Sequence, residues 1–401
     1  MKVKINKSIA CGTISAPPSK SYSHRYIIAS LLSNEKNVLH NVSLSDDILA
    51  TLECVKTFGA EYEVKEDSIT IFPNKEITIN PVFNCHESGS TLRFFIPIAL
   101  LKYPKSTFIG SAKLLSRGID VYKEIFKNQD IIIETFNDKF IVSGSLRGGE
   151  FYVPGNISSQ YISGLLFALP LLKEDSVINI IPPIESSSYI EMTLDVLKKH
   201  NIKIKKEGNS LFIKGSQVYK CKEFNIEGDY SNAAFLDVYN YLNGNVNVLN
   251  LNENSLQGDK IYRKHFATLK EKNAIIDISS CIDLGPVLFT FACINKGATF
   301  IGTNRLTLKE SNRVDDMVEE LRKVNANIEI KDNEVRIYES DLNESKVPFN
   351  SHNDHRIVMS LSMLSSLFPV EIDGAEAIRK SYPNFFEDLK KIGIEVSEIV
   401  K

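Results

Sequence analysis

The sequence predicts an α/β protein of two domains, each built from three similar units. Three observations carry that reading. The chain has 401 residues, more than one hydrophobic core ordinarily serves. One pattern recurs six times: a short β-rich run, a polar loop, an amphipathic helix, then one or two strands. Two polar, turn-forming stretches, near residues 12–20 and 222–230, mark where the chain crosses between domains. The domains are therefore residues 1–18 with 227–401, and residues 19–226.

The units follow in order. The first covers residues 37–64 and closes with Ser68-Ile-Thr-Ile-Phe. The second covers 106–135 and closes with Phe140-Ile-Val-Ser-Gly, and the third covers 176–206 and closes with Ser210-Leu-Phe-Ile-Lys-Gly. The fourth, 245–279, ends in Ile275-Ile-Asp-Ile-Ser, read here as its closing strand. The fifth covers 298–331 with a closing run at 334–339, and the sixth covers 369–399. Helices are assigned from apolar spacing. Val314, Met317, Val318 and Leu321 fall at i, i+3, i+4 and i+7, and Ile190, Leu194 and Leu197 follow much the same rule. Strands are assigned from alternation, as in Ile328-Glu-Ile-Lys. A second helix, apolar nearly all round and so expected to be buried, precedes each unit: 21–32, 89–101, 159–172, 231–242, 284–294 and 355–367.

Composition excludes several classes. The longest apolar run, Phe94–Leu101, is far short of the ~20 residues that cross a bilayer. The N-terminal segment lacks the apolar stretch of a signal peptide. Six scattered cysteines (11, 54, 85, 221, 281, 293) contain no C-x-x-C pair, which predicts neither zinc site nor disulfide framework and fits a reducing cytoplasm. Net charge is −3, with no basic stripe carrying interleaved aromatics, so nucleic acid is not an expected partner. Only 11 of the 47 basic residues are arginine, so an arginine in a polar loop asks for a bidentate anion.

The chemistry sits at loop-to-helix junctions. In Pro18-Ser-Lys-Ser-Tyr-Ser-His-Arg25, Ser19 or Ser21 can cap a helix whose start also gathers Lys20, Ser21 and Arg25. Such a helix start suits an oxyanion, and reads equally as a capped, solvated basic turn. It lacks P-loop glycines, so nucleoside triphosphate is not indicated. Glu87-Ser-Gly-Ser-Thr-Leu-Arg93 opens a second helix, where Gly89 permits close backbone approach. Ser158, Ser159 and Gln160 open a third, and Ser186-Ser-Ser-Tyr189 a fourth; capping alone explains either. Lys309-Glu-Ser-Asn-Arg313 precedes a strongly amphipathic helix, with Lys309 and Arg313 expected on one helix face beside Glu310. Basic groups oppose the dipole at that end unless they serve an anion. Asn353-Asp-His-Arg356, Arg379-Lys380-Ser-Tyr-Pro and Arg117 stand in comparable slots. Asp283 starts an otherwise apolar helix and on its own reads as an N-cap. Lys20, Arg25, Arg117, Arg305, Lys309, Arg313, Arg356 and Lys380 thus recur at one structural position, and Asp283 and Glu310 add a candidate base and acid.

Taken in order, Pro18-Ser-Lys-Ser-Tyr-Ser-His-Arg, Ser88-Gly-Ser-Thr-Leu-Arg, Ser158-Ser-Gln, Gln257-Gly-Asp, Leu308-Lys-Glu-Ser-Asn-Arg, Asn353-Asp-His-Arg and Lys380-Ser-Tyr-Pro resemble the 5-enolpyruvylshikimate-3-phosphate (EPSP) synthases across essentially the whole chain. The resemblance implies two inside-out α/β barrel-like domains, each of three βαβαββ repeats, with a cleft and hinge between them. It implies transfer of enolpyruvyl from phosphoenolpyruvate to the 5-hydroxyl of shikimate 3-phosphate through a tetrahedral ketal, by a cytoplasmic monomer needing no metal or organic cofactor. Lys20 is then expected to reach both substrates. Ser21, Arg25, Ser158, Ser159, Ser186, Asp283 and Lys309 are expected on shikimate 3-phosphate. Gly89, Arg117, Gln160, Arg313, Arg356 and Lys380 are expected on phosphoenolpyruvate. Asp283 is the implied base, and Glu310 with Lys20 the implied proton source at carbon. Glu87 stands where many relatives carry asparagine, Arg305 where some carry a substrate-binding asparagine, and Ser88 and Phe94 where many carry alanine and proline; these leave glyphosate sensitivity open. Two alternatives remain at this point: the sister transferase acting on UDP-N-acetylglucosamine, and a non-catalytic anion-binding protein on the same scaffold.

Overall fold

The computed structural model describes residues 1–73, 79–220 and 222–399; Cys221 lies outside them. The chain divides into two compact units, residues 18–227 and residues 1–17 with 228–401. Each has its own hydrophobic core.

The repeat is plainest in the middle of the first unit. Strand Val82–Asn84 leads into helix Gly89–Ala99 and the parallel strand Lys105–Ile109. Short helices Ala112–Ser116 and Asp120–Ile125 follow, then antiparallel strands Ile131–Thr135 and Lys139–Gly144, the last pairing with Lys105–Ile109. This is βαβαββ on one four-stranded sheet. Strands Gly149–Pro154, Ser176–Ile181, Ile204–Glu207 and Ser210–Ile213, with helices Ser159–Ala168 and Ser187–Lys199, repeat it.

Helices Gly89–Ala99 and Ser159–Ala168 are buried nearly all round, as their composition requires. They approach so closely that a Cβ on Gly164 would sit 2.6 Å from the Arg93 carbonyl oxygen and 2.5 Å from Tyr122 Oη. Only glycine allows that contact.

The two crossings exchange strands. Helix Lys20–Leu31 follows strand Cys11–Ser15 in sequence, yet that strand pairs in the other unit with Asn245–Leu249. The first strand of its own sheet is supplied by Glu223–Asn225, which runs parallel to Asn37–His40. The second unit also borrows a strand. Lys2–Ile5 sits between Val370–Asp373 and Val396–Glu398 and completes the last repeat, which begins at Phe349–Asn350 and helix His355–Ser362. One expectation fails here. Ile275–Asp277 does not close the fourth unit; it pairs parallel with Gly297–Ile301 and opens the fifth. Among the described residues the fourth repeat has only a two-stranded sheet and no closing pair. A three-residue β-branched run reads the same in either role, and only its partner decides.

In the fifth repeat, helix Arg313–Arg322 buries Val314, Met317, Val318 and Leu321 as spaced. In helix Ser187–Lys199, Ile190 and Leu197 are buried and Leu194 is half-exposed. Among the described residues no helix is long and apolar enough to cross a membrane.

Candidate active site

In the second unit the structure gathers a cation–carboxylate cluster around Arg313. Its side chain is 1% exposed. Nε donates to Asp354 Oδ2 at 2.7 Å, Nη1 to Asp283 Oδ1 at 2.9 Å, and Nη2 to Glu310 Oε2 at 2.7 Å and Asp354 Oδ1 at 3.3 Å. Four of the five guanidinium N–H groups are thereby used. Burial alone would weaken Arg313 as a cation, but the three carboxylates more than reverse this and its pKa is raised. Lys309 Nζ reaches Asp283 Oδ1 at 3.2 Å, and Arg356 Nη2 lies 3.6 Å from Asp283 Oδ2. Burial pulls Lys309 below the usual lysine range, with Asp283 opposing the shift.

Each contributor is placed by local structure. Asp283 lies in the tight turn Ile282–Leu284 before helix Gly285–Ile294 and makes no cap, so the capping reading of it is not what the structure holds. Asp354 does cap its helix, accepting from Arg356 N at 2.9 Å, and its carboxylate also takes Arg313. Lys309 is not on the helix with Arg313. The helix starts at Arg313, and Lys309 ends the preceding 3₁₀ turn with extended backbone. The two cations meet at Asp283 through a loop rather than by i, i+4 stacking. Lys380 Nζ donates to the Asn353 carbonyl, and Arg305 Nη1 to Ser279 O at 3.3 Å.

Asp259, from the Gln257-Gly-Asp motif, lies behind this cluster. It is 3% exposed and accepts from the Ser231 hydroxyl. Gln257 takes the Tyr230 amide at 3.0 Å and donates to Gly228 O at 2.8 Å, pinning the crossing segment. Burial, and then the charge of Asp283, push the Asp259 carboxyl up to about 7, with Arg356 opposing. A folded-state pKa above the unfolded value means that ionising Asp259 disfavours the fold. The penalty is absent below about pH 4, grows as pH rises toward 7, and is then constant. Asp259→Asn is therefore expected to melt higher than the native protein at pH 8 and alike near pH 4, measured by thermal unfolding at both.

In the first unit, Ser19 caps helix Lys20–Leu31 by accepting from Tyr22 N, and Lys20 Nζ pairs with Asp47 Oδ2 at 2.6 Å. Arg25 is 3% exposed; it donates to Thr193 Oγ1 at 2.9 Å, Tyr189 O at 3.0 Å and Ser21 O at 2.7 Å, and lies 5.5 Å from the Phe94 ring centroid. Burial lowers its pKa to about 10. Ser158 caps helix Ser159–Ala168 through Gln160 N. Ser186 precedes its helix with a left-handed backbone, φ 53°. Gln160 accepts from Arg93 Nη1 at 2.7 Å and donates to Ser90 Oγ at 2.9 Å. Over Gly89 stand two guanidinium groups: an added Cβ would lie 2.8 Å from Arg93 Nη1 and 3.2 Å from both Arg117 Nη atoms. Glu87 lines a cavity of about 520 Å³ with Asn84, His86, Ile109, Gly110, Ser111 and Asp138.

Within the second unit the structure therefore brings together Asp283, Lys309, Glu310, Arg313 and Arg356. Within the first it brings Gly89, Arg117 and Gln160 around Arg93, while Lys20 is held by Asp47 and Arg25 by the Tyr189 turn. Sequence reasoning gave no role to Asp354, Arg93 or Asp47. Asp354 and Arg93 stand inside quoted motifs. Asp47 offered no signal beyond an acid in a first helical turn.

Repeats of this kind, carrying clustered cations and carboxylates at their helix starts, define an anion-handling α/β enzyme. The family model for EPSP synthase (3-phosphoshikimate 1-carboxyvinyltransferase) matches residues 5–389. Proteins named 3-phosphoshikimate 1-carboxyvinyltransferase from Clostridium perfringens and Clostridium acetobutylicum are 42% and 40% identical, over 98% and 99% of this chain and 98% of each relative. The solved EPSP synthase of Acinetobacter baumannii shares the fold at TM-score 0.80 and 21% identity, over 99% of this chain and all of that one. The chain belongs to the EPSP synthase family and is a transferase.

Proposed function

We propose that this protein transfers the enolpyruvyl group of phosphoenolpyruvate to the 5-hydroxyl of shikimate 3-phosphate, releasing phosphate. The observation that carries the chemistry is the Asp283 carboxylate held among Lys309, Arg313 and Arg356. In this reading Asp283 takes the 5-hydroxyl proton as the oxygen attacks C2 of phosphoenolpyruvate. Glu310 and Lys20 deliver a proton to the methylene carbon, giving a tetrahedral ketal. A proton then leaves the new methyl group, the C–O bond to phosphate breaks, and the vinyl ether forms. Fixed cations stabilise both anions and the charge that gathers on departing phosphate.

Shikimate 3-phosphate is assigned to Lys20, Ser21, Arg25, Ser158, Ser159, Ser186, Asp283 and Lys309. Phosphoenolpyruvate is assigned to Lys20, Gly89, Arg117, Gln160, Arg313, Arg356 and Lys380. Arg313 has one Nη1 hydrogen left for that purpose. The enzyme works as a cytoplasmic monomer; the five cysteines among the described residues are free, which suits a reducing compartment.

The direct test is phosphate release on mixing the protein with both substrates. Release is expected only with the pair. Release with UDP-N-acetylglucosamine in place of shikimate 3-phosphate would install the sister activity instead, and none with either would remove the transferase assignment of these residues. Gly89→Ala supplies a finer check. Its Cβ must displace the guanidinium tips of Arg93 and Arg117, so KM for phosphoenolpyruvate is expected to rise about tenfold with kcat nearly unchanged. Steady-state kinetics with each substrate varied would show it.

A further inference from the structure

We propose that His24, Thr51, Thr91 and Ser88 form a one-way relay of hydrogen-bond donors that fixes the Gly89 loop, with Thr51 as the positioning residue tying it to the Lys20 loop. Naming the anion at Gly89 as phosphoenolpyruvate rests on the function proposed above; the relay itself does not.

The contacts are short and fully buried. His24 Nδ1 lies 2.7 Å from Thr51 Oγ1, Thr51 Oγ1 lies 2.7 Å from Thr91 Oγ1, and Thr91 Oγ1 donates to Ser88 Oγ at 2.7 Å. His24 and Ser88 are 1% exposed, Thr51 and Thr91 0%. Three hydroxyls and an imidazole inside an apolar core are tolerable only when each proton has a place.

Counting protons sets the direction. Each hydroxyl has one hydrogen to give. Thr91 spends its hydrogen on Ser88, so the 2.7 Å contact with Thr51 needs the Thr51 hydrogen; the Asp47 carbonyl, 3.3 Å from Thr51 Oγ1, is the longer and weaker acceptor for it. Thr51 must then accept from a protonated His24 Nδ1. The reverse order would put the proton on Nε2. That atom is buried without a partner, and an orphaned N–H is the rarer and costlier of the two defects. Burial, with Lys20 and Arg25 nearby, keeps His24 neutral, as the relay requires.

The relay joins three helices. His24 is on Lys20–Leu31, Thr51 on Asp46–Thr57 one turn beyond Asp47, and Thr91 in the first turn of Gly89–Ala99. Asp47 holds Lys20, and Ser88 caps the helix that begins at Gly89. Among the described residues the hydroxyl hydrogen of Ser88 meets no acceptor, so an anion at Gly89 is its natural recipient.

The test combines spectroscopy and kinetics on the full chain. Nitrogen-15 NMR of the imidazoles, with His24 assigned through His24→Asn, is expected to show the neutral Nδ1–H tautomer; the Nε2–H tautomer would overturn the relay. Thr51→Val removes the hydroxyl at constant shape and is expected to raise KM for phosphoenolpyruvate about five- to tenfold. KM for shikimate 3-phosphate should barely move, the melting temperature should fall because the buried His24 Nδ1–H loses its acceptor, and Thr51→Ser should restore native values. An unchanged phosphoenolpyruvate KM, or equal rises in both KM values, would assign Thr51 to packing alone. Should the native protein release no phosphate from its two substrates, the proposed function fails, and the tautomer of His24 still decides the relay.

Discussion

Replacing Arg313 with methionine is expected to destabilise the unit that carries it by about 3–5 kcal/mol, the cost of leaving a buried charge unpaired. Asp354 is 0% exposed, and it faces Arg313 together with Asp283 and Glu310. Methionine fills much of the volume but supplies none of the four hydrogen bonds. The carboxylates must then repel one another, take up protons, or draw in water. Urea unfolding should show a lower midpoint at similar slope, and activity should be lost because Asp283 and Glu310 lose their shared anchor. Lys390→Met, which breaks an exposed pair with Glu387, is the control and should change stability by less than about 1 kcal/mol. A loss for Arg313→Met no larger than the control would show that the cluster is solvated and that Arg313 does not organise it.

The second large effect is expected on catalysis. Asp283→Asn keeps the shape of the side chain and removes the proposed proton acceptor, so kcat should fall by about 10²–10⁴-fold, the range for losing a positioned general base. Stability should change little, because an amide oxygen can still accept from Lys309 and Arg313. The split between kcat and KM distinguishes the base from a mere anchor: kcat should fall far more than KM for shikimate 3-phosphate changes. Should the variant keep more than about a tenth of native kcat, the hydroxyl proton goes elsewhere, with Glu310 next in line.

Much of the architecture was legible from pattern. The six apolar helices appear with nearly the expected limits because an all-round apolar helix has to be interior. Their last turns tighten to 3₁₀ at Leu169–Leu171, Val238–Tyr241 and Met363–Ser366, a detail that side-chain spacing does not encode. Strand partners were less legible. Ile275–Asp277 was misplaced, and the exchange of Cys11–Ser15 for Glu223–Asn225 lies outside any local signal, since it depends on pairing across more than 180 residues.

The site divides in the same way. Motifs marked Lys20, Lys309, Arg313 and Arg356, because cations at helix starts contradict the dipole unless an anion is served, Gly89 because it permits close backbone approach, and Asp283 as an acid at the start of an apolar helix. They did not show that Arg313 is almost wholly committed to protein carboxylates, nor that Lys309 meets it through a loop. Arg93 and Asp354 stood in view inside their motifs, but a residue that acts by holding another side chain has no signature until its neighbour is placed.

The order of the motifs, carried by residue type and local spacing, was sufficient by itself to determine the family and the class of reaction. Both follow from the loops taken together, since each alone reads equally as a cap or a solvated turn. Tertiary structure alone decided which carboxylate each cation meets, which repeat lacks its closing strands, and how His24 reaches Ser88 through Thr51 and Thr91. Those outcomes depend on distances between segments far apart in the chain, and backbone patterning constrains such distances only once the cores have closed.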